Sequence, residues 1–153
     1  MQSVEFDELN KLDKTLKGIL DSVPEARKKL HEKIAGIIKK EVDTQINSSG
    51  LNDGSGKIKG WQETTVGSGG GYAAGHAVKG ETGDNSPGAI TNYLENGHKI
   101  REPSGKSKNY RPRINKAYVD GYHFYQSAST TVEAKAIAEA ERFADEIRKK
   151  LEE

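Results

Sequence analysis

Cysteine is absent from this chain, which removes disulfide frameworks, thiolate metal sites and cysteine nucleophiles. Long apolar runs are missing too: nothing approaches the roughly 18 consecutive apolar residues of a membrane-spanning helix. Met1 to Asn10 lacks the apolar stretch of a signal peptide, so the chain is expected to be soluble, with no membrane partner. An excess of one charge sign is likewise lacking. The 24 Lys and Arg nearly cancel 23 Asp and Glu, for a formal charge of +1, which argues against a polycation held on nucleic acid by total charge. Apolar material is scarce, with 33% hydrophobic against 31% charged residues and a mean hydropathy of -0.82. The core must therefore be modest and fed by narrow amphipathic stripes, and such a chain gains from burying surface against a partner. At 153 residues it has room for a single domain.

Periodicity supplies the elements. Phe6, Leu9, Leu12, Leu16, Ile19 and Leu20 share one helical stripe. Ser22 with Glu25 has the spacing of a capping box beside Pro24, predicting a turn and a second helix. Leu30, Ile34, Ile37, Ile38, Val42 and Ile46 carry that helix to a stop at Asn47 to Gly50. The N-terminal helices are thus expected over 4–48. Sheet and loops are expected over 50–118, with Ile58 to Val66 and Tyr72 to Val78 as an antiparallel hairpin around a mobile Gly67 to Gly71 connection. Lys79 to Pro87 reads as an exposed loop, Ala89 to Ile100 returns to structure, and Arg101 to Lys116 is irregular. Tyr125, Ala128, Val132, Ala136, Ala140, Phe143, Ile147 and Leu151 predict a C-terminal helix over 122–151. Its stripe passes in phase through the alternative cap at Ser129 to Thr131.

Few residues suggest reaction chemistry. Gly67 to Gly75 lacks the Gly-Lys-Ser/Thr ending of a phosphate cradle. His31, His76, His98 and His123 show no metal-ligand spacing, and no Gly-x-Ser-x-Gly elbow is present. Glu139 and Glu141 read as solvated helix surface, and Trp61 and Phe143 as core anchors. No catalytic residue, cofactor or metal is predicted. One window is strongly basic: Lys99, Arg101, Lys106, Lys108, Arg111, Arg113 and Lys116 face only Glu102 as an opposing charge. These residues are candidates for contact with DNA or an acidic partner, against a plain solvated loop.

Three short stretches in fixed order carry a resemblance: Gly56-Lys57-Ile58-Lys59-Gly60-Trp61, Tyr93-Leu94-Glu95-Asn96-Gly97-His98, and Val119-Asp120-Gly121-Tyr122-His123-Phe124. They resemble the signatures of the phage head-to-tail neck family, the lambdoid minor tail-component or tail-completion proteins, over roughly residues 30 to 150. Asp120 and Tyr122 depart from that pattern, which usually has proline and often arginine there. The resemblance implies an α+β fold, long helices packed on a small antiparallel β-sheet with long mobile loops. It further implies a non-enzymatic virion protein assembled in the host cytoplasm, forming a ring at the neck or tail terminus, as a tail-completion, terminator or connector subunit. Its implied partners are further copies in a hexamer or dodecamer, neighbouring neck and connector proteins, tail tube or sheath proteins of a contractile or non-contractile tail, and DNA passing through the lumen. Candidate assembly contacts are Trp61, Tyr93, Glu95, Gly97, His98, Tyr122 and Phe124. In the second stretch Gly97 permits a turn with Glu95 and His98 on either side, a contact site or simply a strand end with solvated polar groups. Two rival readings are a small DNA-binding module using 99–116 and a metal-dependent hydrolase using the histidines with Glu95.

Overall fold

The computed structural model describes residues 2–100 and 116–152, with side chains from Lys14 onward, Leu20 excepted. The fold is α+β. Its elements in order are α1 (Gln2–Ser48), α2 (Lys57–Gly60), β1 (Gln62–Val66), β2 (Ala73–Ala77), α3 (Pro87–Asn96), β3 (His98–Lys99), β4 (Tyr118–Val119) and α4 (Phe124–Glu152). Strands β1 and β2 form one two-stranded sheet and β3 and β4 another. The chain divides into two compact units, Met1–Lys40 with Thr64–Gly75 and Thr130–Glu153, and Glu41–Glu63 with His76–Ser129.

In the first unit the expected break between two N-terminal helices does not occur, because α1 runs unbroken with Pro24 inside it. An interior proline costs about 3 kcal/mol. The half-buried stripe Ile19, Val23, Ala26, Leu30, Ile34 and Ile37 stays in phase across it, and that continuous burial favours one helix. Ser22 caps nothing; its hydroxyl donates back to the Ile19 carbonyl at 2.8 Å, while Glu25 pairs with Lys29. Leu16 is exposed rather than inward, and the expected stripe positions Phe6, Leu9, Leu12 and Leu20 fall outside the described side chains. The glycine-rich connection, expected to be mobile, is docked. Arg27 donates to the Gly69 carbonyl at 2.9 Å, and Gly70 (φ 63°) lies so close that a Cβ there would stand 2.7 Å from the Lys28 Cα. Glu139 is not merely solvated: it is half-buried, 2.7 Å from Arg142 and 3.9 Å from Lys33. Along α4 a run of i+4 steps drifts about 40° per step, so Val132, Ala136, Phe143 and Ile147 are half-buried while Ala140 and Leu151 have rotated to the surface.

In the second unit the buried apolar residues are Val42, Ile46, Phe124 and Ala128. Trp61 is half-buried with the Lys57 ammonium 5.0 Å over its ring, as Phe143 is half-buried in the first unit. Ile58 to Gly60, expected to open a strand, instead lies in the short helix α2. The cause is local. Gly56 takes a left-handed conformation (φ 69°), and the Asp53 carboxylate accepts from Ile58 N–H at 2.9 Å and Lys59 N–H at 3.0 Å, an anion on helical N–H groups that lack internal partners. Burial, the largest single influence, pushes the Asp53 carboxyl up, but these donors and the Lys59 charge together outweigh it and hold the group below its ordinary value. The resulting stability is present above 3.8 and is lost as pH falls through the depressed value. Asp53→Ala is expected to cost about 1 kcal/mol at neutral pH in urea unfolding, a difference that shrinks in acid. Helix α3 begins on Ser86, whose hydroxyl accepts from Ala89 N–H at 3.3 Å, with Pro87 in the first turn.

Candidate functional site

The second and third of the three signature stretches meet in the second unit, and Gln62, next to the first, bonds to the helices that carry them. Tyr93 to Asn96, expected as a strand end, form the last turn of α3. There Gly97 (φ 79°, ψ 174°) ends the helix with its N–H on the Tyr93 carbonyl. The last carbonyls of a helix lack internal partners, as do the first N–H groups of the next; here the segment just before α4 supplies donors to the α3 carbonyls, and a side chain of α3 serves the first N–H groups of α4. Tyr122 N–H donates to the Leu94 carbonyl at 2.7 Å and His123 N–H to the Glu95 carbonyl at 3.2 Å. The Glu95 carboxylate accepts from Tyr125 N–H and Gln126 N–H, both at 2.9 Å. It thus places a negative charge on the N-terminal turn of α4, where the helix dipole favours it. His123 holds a left-handed φ of 51° just before that turn, and α4 starts at Phe124 rather than at 122.

This proximity depends on two missing side chains. A Cβ on Gly97 would run into the Val119 carbonyl and stand 2.6 Å from the Tyr118 hydroxyl, and one on Gly121 would run into the Glu95 carbonyl and stand 2.7 Å from the Asn96 carbonyl carbon. Tyr118 closes the edge by donating to the Asn96 carbonyl at 2.7 Å.

Gln62, directly after the first signature, ties that stretch in. It is buried, and its amide nitrogen donates to the Ile58 carbonyl at 3.0 Å and the Thr91 hydroxyl at 3.1 Å. Its amide oxygen accepts from the Tyr125 hydroxyl at 2.7 Å. Burial first, then the nearby Glu95 and Asp43 carboxylates, push the Tyr125 phenol up to about 12. A raised acid favours the neutral form in the folded state, so its stabilisation is full below 10.0 and is lost as pH rises from there through about 12. In alkaline titration of the tyrosinate absorbance, one tyrosine is expected to ionise late. Tyr125→Phe should remove that late component and cost about 1 kcal/mol at neutral pH.

Of the candidate contacts, Phe124 is fully buried and belongs to the core, its ring 5.4 Å from the Tyr125 ring. Gly97 and Glu95 are engaged at the junction, so Glu95 is not the solvated surface group of the alternative reading. Tyr93, His98 and Tyr122 remain at the surface, with the Tyr93 and His98 rings 5.5 Å apart. Tyr118 is exposed beside them; sequence reasoning did not single out Gln62, Thr91, Gly121 and Tyr125 as junction residues. Lys99 and Lys116 are exposed at the two ends of the basic window, brought together by the pairs His98↔Val119 and Lys99↔Tyr118. Arg101, Lys106, Lys108, Arg111 and Arg113 lie outside the described residues. Among the described residues no group of three or more His, Asp or Glu is arranged to hold a metal ion, and no helix is long and apolar enough to cross a membrane.

Comparison of the chain with protein-family models, with curated proteins and with solved structures returned no match.

Proposed function

We propose that this chain is a non-enzymatic, ring-forming subunit of a tailed bacteriophage or phage-tail-like particle, seated at the neck or tail terminus as a tail-completion, terminator or connector protein. The observation that carries the reading is the junction of the second and third stretches, to which the first is tied through Gln62. Stretches with 31 and then 20 residues between them in sequence are linked at one place in the fold, which gives their occurrence together a physical reason. The polar side chains there are used to hold helix ends rather than to poise a reactive group. The thin core adds support: among the described residues the buried apolar side chains are Ala35, Val42, Ile46, Phe124 and Ala128, so further burial against neighbours would add stability. A closed ring requires head-to-tail contacts, one surface of each copy complementing a different surface on the next.

Sedimentation velocity and negative-stain microscopy of the purified full chain, alone and mixed with neck and tail-tube proteins, test this. Closed rings of six or twelve copies are expected; a chain that stays monomeric in both settings overturns the proposal.

A further inference from the structure

The first unit carries two surfaces that complement each other and that one copy cannot bring together. One is a groove between α1 and α4, a cavity of 680 Å³ that extends along α1 from Ser22 to Lys40. Leu30, Ile37 and Phe143 supply its apolar lining, and Lys29, Lys33, Lys40, Arg142 and Lys150 outnumber Glu25, Glu139 and Glu146 around it, five cations to three carboxylates for +2. The other is a stripe along α4. Ala134, Ile137, Glu141, Ala144, Arg148 and Leu151 recur at alternating steps of three and four, the spacing of a coiled-coil seam, and all six are exposed. Ile137 is 52% and Leu151 55% exposed, although large apolar side chains on a helix are ordinarily turned inward. The stripe and its margins carry Glu133, Glu141, Asp145 and Glu152 against Arg148, four carboxylates to one cation for -3.

Three further features bear on what covers these surfaces. At about 100° per residue the stripe lies on the opposite side of α4 from the residues that line the groove, so no copy can fill its own groove with it. The lengths agree: Ala134 to Leu151 spans about 26 Å and Ser22 to Lys40 about 27 Å at 1.5 Å per residue. Finally, Gly36 lines the groove in the middle of α1, where glycine costs roughly 0.5–1 kcal/mol relative to alanine. Nothing beyond its own turn lies within 4 Å of where its Cβ would stand. Among the described residues nothing in the chain's own packing calls for a glycine there, and the missing side chain leaves the groove open at that point.

We infer that the exposed stripe of α4 docks in the α1–α4 groove of a second copy of this chain. An anionic apolar ridge enters a cationic apolar furrow. Because ridge and furrow sit on opposite sides of one helix, each copy engages two neighbours head to tail, the type of contact that closes into a ring. The inference deepens the ring reading and rests on it.

Two variants test it without touching the fold. Ile137→Glu with Leu151→Glu alters only exposed positions. Gly36→Glu replaces a poor helix former with a good one while placing bulk and negative charge in the groove. Each is expected to keep its helical circular dichroism and to weaken self-association on the order of a hundredfold in sedimentation velocity, the loss typical of removing central interface contacts. The decisive arm mixes the two well above the wild-type assembly concentration. The stripe variant still has an intact groove and the groove variant an intact stripe, so a 1:1 heterodimer should form and grow no further. Rings that persist in both variants overturn the docking and leave the ring reading standing. Monomeric variants that do not pair on mixing overturn the docking in favour of a foreign occupant. A wild-type chain that stays monomeric overturns both.

Discussion

Replacing Gly97 by alanine is expected to destabilise the protein by about 3 kcal/mol or more. Two costs coincide. The backbone there sits at φ 79° and ψ 174°, a region almost reserved for glycine, and holding a side-chain-bearing residue in it costs on the order of 1–3 kcal/mol. The added Cβ also meets the Val119 carbonyl and stands 2.9 Å from the Gly121 nitrogen, so β4 and the chain after it must move, an overpacking cost of roughly 1–3 kcal/mol. Gly121→Ala isolates the second cost, since Gly121 has no positive φ, and is expected to lose about 2 kcal/mol. Urea unfolding at constant slope measures both. An alanine at position 97 that shifts the midpoint no more than an exposed surface substitution would mean that this close approach does not exist in solution.

The extent to which this junction can be read from the sequence follows from what one chain displays. Helical periods are visible because they are repeated, so α4 and the second half of α1 could be placed from Val132, Phe143, Ile34 and Ile46. The single helix through Pro24 could not, because a proline beside a capping pattern is a strong local signal and its override is tertiary. The short helix α2 was hidden for a similar reason. Its cap, Asp53, lies five residues before the first N–H it accepts from, outside the ordinary capping spacing. Ser86-Pro87 before Ile90 was a legible helix start, masked by the polar composition of the loop it ends. Tyr93 to His98 and Val119 to Phe124 stood out by their resemblance to a family pattern, and Gly97 as a turn former. That Gly97 and Gly121 serve a close backbone approach, and that Gln62 is buried, depends on residues some thirty positions away, which no local pattern encodes.

Glu95→Ala is expected to cost about 2 kcal/mol, the upper end for losing a helix cap, because the carboxylate serves Tyr125 N–H and Gln126 N–H at 2.9 Å each from a half-buried position. Bonds to a charged acceptor contribute more than neutral ones, and the charge also meets the positive end of α4. Two companion substitutions separate these contributions. Glu95→Gln retains one acceptor oxygen but turns an NH2 group toward the other N–H, so about half the stabilisation should remain. Glu95→Asp keeps the charge but is one methylene short of reaching α4 from the last turn of α3, and should resemble the alanine variant. Amide hydrogen exchange at Tyr125 and Gln126 should quicken in all three, while amides near Ala136 keep their protection, since only the first turn loses its partner. A freely solvated Glu95 would give substitutions within about 0.5 kcal/mol of wild type and unchanged exchange. That outcome would detach the second signature from the third and with it the structural reason for finding them in the same chain.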